Sequence, residues 1–407
     1  MSKIFYVSHS LPNSFTNGSD LIALNIIKEL KIKNKVSAIS IGTNYCKKNE
    51  LIKIHQELKK LHIKFYEIKI KNCFKKKNIT YKNFFIKNYI DKNDIKKAKN
   101  FLKKKKFNKN DIIFAFGSAS ILSCNEIRCT KIALFEDLQD QVFYYRTLQS
   151  INKLNFLKKI LRIFLLKIHF IGYLNWLKNI STDYNLIYTF SLFDYELLKK
   201  KIKLKVLNLP FVKSFNRINM KINKNNKKFN ISMLSASISQ DYGGVKLMYK
   251  YLLPRIEKEK LLNRVKINLI MRIPKKVPFS VKKIINDKRI NIVKYSKKIL
   301  NNTDLLFYPS TYPVGIRTKV LFALSKSWIV AVSKNTKKNI PYLIDGINSL
   351  LSNNTKELVS KIINIIKYKN KRYNLRKEGL KILEKYSFKE FSNQISNDIK
   401  IYGKIDK

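Results

Sequence analysis

Cysteine is scarce in this chain of 407 residues. The four present, Cys46, Cys73, Cys124 and Cys129, form no CxxC pair and have no histidine cluster beside them. That argues against a cysteine-built metal site or a disulfide framework, and it fits a reducing, cytoplasmic setting. Long apolar runs are missing as well. The most apolar segment, Ile163 to Leu177, is about 15 residues and carries Lys167 and His169, too short and too charged to span a bilayer. The opening MSKIFYVSHSLPN has only about four apolar residues in a row, which is not a signal-peptide pattern. No GxGxxG, P-loop, HExxH or GxSxG motif occurs, and there is no internal repeat.

Acidic residues are few: 27 against 84 Lys and Arg, a formal charge of +57. Taken alone, that charge points to nucleic acid or an anionic membrane. Arginine is scarce too, only 11 of the 84 basic residues. Nucleic-acid readers lean on arginine for bidentate contacts, so the balance argues against a nucleic-acid partner. Lysine, asparagine and isoleucine are in excess along the whole length, which reads as compositional bias and a solvated lysine coat. The alternative is peripheral contact with anionic lipid at the inner face of the plasma membrane. The apolar fraction, 45%, suffices for a sizeable core, and the length suggests two domains.

The apolar pattern predicts an α/β chain. A strand over Ile4 to Val7 leads through a loop to a helix capped by Ser19 or Asp20, with Leu21, Leu24, Ile27 and Leu30 on one stripe. Val36 to Ile41 is the next strand, giving a β-α-β start and a parallel sheet with right-handed crossovers. Further strands are predicted over 63–68, 111–116, 131–135 and 186–190. The block 150–180 reads as helices with an apolar stripe and a basic face, suited either to core packing or to a membrane surface. Residues 213–228, rich in Asn and Lys, read as a linker. The alternation then restarts with strands over 230–234, 265–271 and 290–293 and helices over 244–259, 280–286 and 355–368. The expected organisation is two Rossmann-like domains, 1–212 and 229–385, with a last helix in 386–407. Ligands in such sheets bind beyond the strand carboxyl ends.

The segment from Asp304 to Leu351 is the most informative. A strand ends in Pro309-Ser310. A short loop carries Gly315, Ile316, Arg317 and Lys319, and a helix-like VLFALS follows. A glycine lets backbone approach a sugar or phosphate, and cations at a helix N-terminus add to its positive field. The pattern suits a diphosphate leaving group, whose departure without a metal needs cations and N–H groups aimed at its oxygens. Arg272, just past the predicted strand 265–271, is a further candidate. In the first half, His9, Gly18 and Ser19 lie in or beside the loop after the first strand. Glu136, Asp137 and Asp140 follow the strand at 131–135 and read either as an acceptor site or as a helix-capping turn.

With those residues in view, the chain resembles retaining glycosyltransferases of the two-Rossmann-domain GT-B type, in the large family often called family four. Asp304, Pro309-Ser310, Gly315, Lys319, Ala323, Ser333 and the turn Asp345-Gly346-Ile347-Asn348 fall on that family's C-terminal pattern. SHSLPN and NGSD resemble its first loop more loosely. The resemblance implies two domains facing across a cleft, with the final helix crossing back to brace the first. It implies transfer of a hexose-like sugar from a nucleotide-sugar to a glycan or lipid-linked acceptor, in cell-surface polysaccharide or lipopolysaccharide synthesis. It implies no cofactor and no metal, the nucleotide-sugar being a substrate, and donor contacts from Ser310, Gly315, Ile316, Arg317, Lys319, Arg272 and position 322. It assigns no catalytic group. Phe322 stands where the family has a glutamate that binds the nucleotide ribose or donor hydroxyls. That departure keeps a second function open, a GT-B-like protein that binds without transfer.

Overall fold

The computed structural model describes residues 3–14, 18–42, 48–68, 92–135, 156–212, 228–237, 242–273, 277, 279–293, 297–309 and 317–402. The chain divides into two compact units. One comprises Met1–Phe211 and Phe388–Lys407, the other Val212–Pro313 and Arg317–Ser387. Most of the expected linker, 213–227, lies outside the described residues.

The first unit runs β1 (Lys3–Ser8), α1 (Gly18–Lys33), β2 (Lys35–Ser40), α2 (Lys48–Lys60), β3 (Lys64–Glu67), α3 (Lys92–Lys104), β4 (Ile112–Phe116), α4 (Ser118–Cys124), β5 (Thr130–Phe135), α5 (Phe156–Ser181), β6 (Leu186–Thr189), α6 (Leu192–Leu198) and β7 (Lys205–Val206). All its strand pairs are parallel, in the order β3-β2-β1-β4-β5-β6-β7. Every residue of β4 and β5 is buried, which is why β4 and the last four residues of β5, Ile132 to Phe135, read as unbroken apolar runs rather than alternating ones. The helical block predicted over 150–180 is a single 26-residue helix, α5, and residues 150–155 lie outside the described set. Leu166, Leu174, Leu177 and Ile180 turn one of its faces into the core.

The second unit runs β8 (Phe229–Ser237), α7 (Tyr242–Leu247), a π turn at Met248–Leu252, α8 (Leu253–Lys258), β9 (Val265–Arg272), α9 (Phe279–Ile285), β10 (Ile290–Val293), α10 (Lys297–Asn301), β11 (Leu305–Tyr308), α11 (Thr318–Ser325), β12 (Ile329–Val332), β13 (Leu350–Leu351), α12 (Thr355–Lys367) and α13 (Asn370–Lys381). The helix expected over 244–259 is thus widened in the middle. Pro254 opens the segment after the π turn. It has no N–H to return to the preceding turn, which accounts for the local loss of α-helical register. The six strands are parallel in the order β10-β9-β8-β11-β12-β13.

Two polar devices hold this unit. Asp304, at the foot of β11, accepts from Arg376 Nη2 at 2.7 Å and from the Asn230 backbone N–H at 2.9 Å. Both side chains of the ion pair are largely buried, 7% and 13% exposed. The turn Asp345-Gly346-Ile347-Asn348 is the second device. Gly346 has φ +75°, a left-handed conformation that a side chain would strain. Asn348 accepts from the Ile344 N–H at 2.7 Å, and Asp345 from the Leu351 N–H at 2.8 Å. The family-like turn therefore places β13 against β12.

A final helix, α14 (Phe388–Tyr402), belongs to the first unit. Its Asp398 accepts from Tyr188 Oη at 2.6 Å and pairs with Lys205. Gln394 accepts from the Asn208 N–H at 3.1 Å, and Ser392 donates to Glu29 at 2.6 Å.

Candidate functional site

In the second unit, strand order reverses between β8 and β11, the place where an open parallel sheet leaves a crevice at its carboxyl edge. β11 ends in the buried Tyr308 and Pro309, and β8 ends near the buried Ser235. α11 begins at Thr318, with Arg317 half-buried at its cap position. Lys319, in the first helical turn, donates from Nζ to Ser235 Oγ at 3.2 Å, so its ammonium joins α11 to β8 at the reversal point. The same ammonium lies 5.3 Å from the Tyr308 ring centre, and the Arg317 guanidinium 5.9 Å from it. The electron-rich faces of an aromatic ring attract cations, which favours both groups here. The first turn of α11 contains no acidic residue, so nothing there offsets the positive helix end. A hydroxyl, two cations and a helix N-terminus form a set suited to phosphate oxygens.

Of the residues expected there, Arg317 and Lys319 come together on Tyr308. Arg272 ends β9 on the same sheet edge, paired with Ser237 in the ladder, and is exposed. Phe322 is half-buried and packs edge-on against Trp328, ring centres 5.8 Å apart at 88°, with Lys326 5.7 Å above its ring. Ser310, Gly315 and Ile316 lie outside the described residues, as do Glu136, Asp137 and Asp140. Sequence reasoning missed Ser235 and Tyr308. The available signal was position: Tyr308 closes β11 and Ser235 lies two residues before the end of β8, the two strands beside the order reversal.

The first unit has its own reversal, between β1 and β4. His9 follows β1 there, and its carbonyl accepts from Ser40 Oγ at 3.0 Å. Burial holds its imidazole below the ordinary histidine value, with the Asp20 carboxylate opposing, so the ring is neutral near pH 7. Asp20, in the first turn of α1, also pairs with Ser10. Gly18 begins α1 and Ser19 is half-buried beside it. A methyl group on Gly42 would sit 2.4 Å from His9 Cε1 and 2.6 Å from Nδ1, so only glycine leaves room for the imidazole. Gly42→Ala is expected to destabilise the protein by about 1–3 kcal/mol through overpacking. His9→Ala in the same chain should recover most of that loss in urea denaturation. A double variant as unstable as Gly42→Ala alone would show that the ring is not what fills this space.

Among the described residues, no group of three or more His, Cys, Asp or Glu is placed to hold a metal ion. Cys124 is fully buried, and burial pushes the Cys129 thiol up to about 11, so neither is a thiolate at neutral pH.

No protein-family model and no curated protein matches the chain. Solved structures do. HepE (Alr3699) of Anabaena, crystallised with UDP and glucose, superposes with a TM-score of 0.65 at 11% identity, covering 98% of this chain and 100% of that one. TarM, also solved from S. aureus with UDP and α-GlcNAc-glycerol, gives 0.65 at 14% identity over 98% of both chains. An E. coli trehalose-6-phosphate protein bound to UDP-2-fluoro glucose gives 0.59 at 11% identity over 99% of both. The two parallel sheets, of seven and six strands, with the final helix returned to the first unit, constitute the GT-B glycosyltransferase fold.

Proposed function

We propose that this protein is a glycosyltransferase whose nucleotide-sugar donor places its diphosphate at the carboxyl edge of the second sheet. One observation carries the reading: Lys319 and Arg317 lie 5.3 and 5.9 Å from the Tyr308 ring centre, and Lys319 reaches Ser235 across the strand-order reversal. As the sugar leaves, negative charge grows on the diphosphate. The two side-chain cations and the N-terminus of α11 lie where they would stabilise that charge. Arg272 extends the cationic edge by one strand. Ser310, Gly315 and Ile316 complete the donor loop on the strength of the sequence resemblance, and the same resemblance assigns a binding role to His9, Gly18 and Ser19 at the first unit's own loop after β1. The same resemblance supports transfer with retention of anomeric configuration to a glycan or lipid-linked acceptor of the cell surface, in the cytoplasm and without a bound metal. HepE is known in complex with UDP-glucose, which makes a uridine diphosphate the first donor to try.

The test is titration calorimetry of the full chain with UDP and GDP, followed by a panel of nucleotide-sugars assayed for released nucleotide with and without EDTA. Nucleotide binding, with release that EDTA leaves unchanged, is expected. Failure of every nucleotide to bind would overturn the donor site.

A second reading is a GT-B-like binder without transfer, and Phe322 favours it. Its ring is packed on Trp328, where it cannot accept a hydrogen bond from a ribose or sugar hydroxyl. That reading predicts nucleotide binding with no release from any donor.

A further inference from the structure

Helix α5 carries an apolar stripe that the first unit leaves uncovered. Leu157, Ile160, Leu161, Phe164, Ile168 and Ile171 are 79%, 50%, 55%, 59%, 37% and 56% exposed. At 3.6 residues per turn these six fall within an arc of about 100° and run for about 21 Å along the helix. The buried Leu166, Leu177 and Ile180 lie on the opposite side, so the stripe is not the face that anchors the helix. Most surface apolar residues of a soluble chain occur singly, whereas contiguous ones mark an interaction site.

Charge selects the occupant. The helix contains Lys158, Lys159, Arg162, Lys167 and Lys178 and no acidic residue at all, in a chain of net charge +57. Lys167 is exposed in the middle of the stripe's length, and toward its C-terminal end the same side turns polar with the exposed Asn175 and Lys178. Among the described residues no helix is long and apolar enough to cross a membrane. An apolar stripe on an acid-free basic helix is the arrangement of a helix lying in the plane of an anionic bilayer. In that arrangement the apolar side chains enter the acyl boundary, and cations on the stripe's side, here the exposed Lys167 and Lys178, meet lipid phosphates or carboxylates. A protein partner would need a large acidic surface to tolerate the same helix.

We propose that α5 docks the protein on anionic lipid bilayers through the stripe from Leu157 to Ile171. This surface lies wholly in the first unit and stands whether or not the donor site transfers sugar. The test is flotation of the full-length protein with vesicles of 30 mol% phosphatidylglycerol in phosphatidylcholine and with pure phosphatidylcholine. The wild type is expected to float with the anionic vesicles and not with the neutral ones. The triple variant Leu157→Ser/Ile160→Ser/Phe164→Ser should bind at least about tenfold more weakly, since all three are exposed and contribute insertion rather than folding. The control Ile32→Ser/Ile401→Ser, which removes exposed apolar side chains elsewhere in the unit, should bind like wild type. Equal binding by the wild type and the triple variant would overturn the proposal and assign the attraction to the lysine coat. Sedimentation showing a stripe-dependent dimer that excludes vesicles would overturn it in favour of self-association.

Discussion

Replacing Asp304 with alanine is expected to remove about 3–5 kcal/mol of stability from the second unit. The carboxylate sits at the foot of the central strand β11 and accepts from the Arg376 guanidinium at 2.7 Å and the Asn230 N–H at 2.9 Å. Removing it leaves a buried arginine charge without its partner and a backbone donor without an acceptor. The penalty comes from that uncompensated charge more than from the lost attraction. Exchanging both partners, Asp304→Leu with Arg376→Met, should cost much less than Asp304→Ala alone, because no charge is then stranded. The measurement is urea denaturation followed by fluorescence in a Trp176→Phe background, which leaves the buried Trp328 as the reporter of this unit. A loss under about 1 kcal/mol for Asp304→Ala would place the pair with exposed ion pairs and sink the argument.

The second large effect concerns donor binding. A hydrogen bond to a charged group contributes about 1.5–3 kcal/mol, so Arg317→Ala and Lys319→Ala should each weaken UDP binding by about 10- to 150-fold. Lys282→Ala, an exposed lysine on α9, should leave it unchanged. Calorimetry at fixed ionic strength makes the comparison, because salt screens the coat more than a partly buried site. Similar losses from all three substitutions would mean that general surface charge, and not this pair, attracts the nucleotide.

How much of this was legible in the sequence depended on how local its cause is. The central strands stood out because burial on both faces writes them as continuous apolar runs, as in β4 and in Ile132 to Phe135 of β5. Lys319 could be singled out because it opens VLFALS directly after a glycine loop. Ser235 could not, because its role depends on a lysine 84 residues later in the chain. The Asp304–Arg376 pair spans 72 residues and gives no periodic signal. The π turn before α8 follows from Pro254, yet helical periodicity continues on both sides of it. In α5 apolar residues occur around most of the helix. Periodicity alone therefore could not say which face the core would cover and which would stay exposed.

The return of α14 also sets an order of events during synthesis. The first unit's sheet begins at Lys3, but Tyr188, Lys205 and Asn208 make their bonds to residues that leave the ribosome only after the whole second unit. Those bonds bridge 210, 193 and 186 residues. The second unit can close on itself while the first still has β6 and β7 without their final partner. The earlier-made unit is thus the later one to be completed, and until then its unfinished edge is a surface for chaperones to shield.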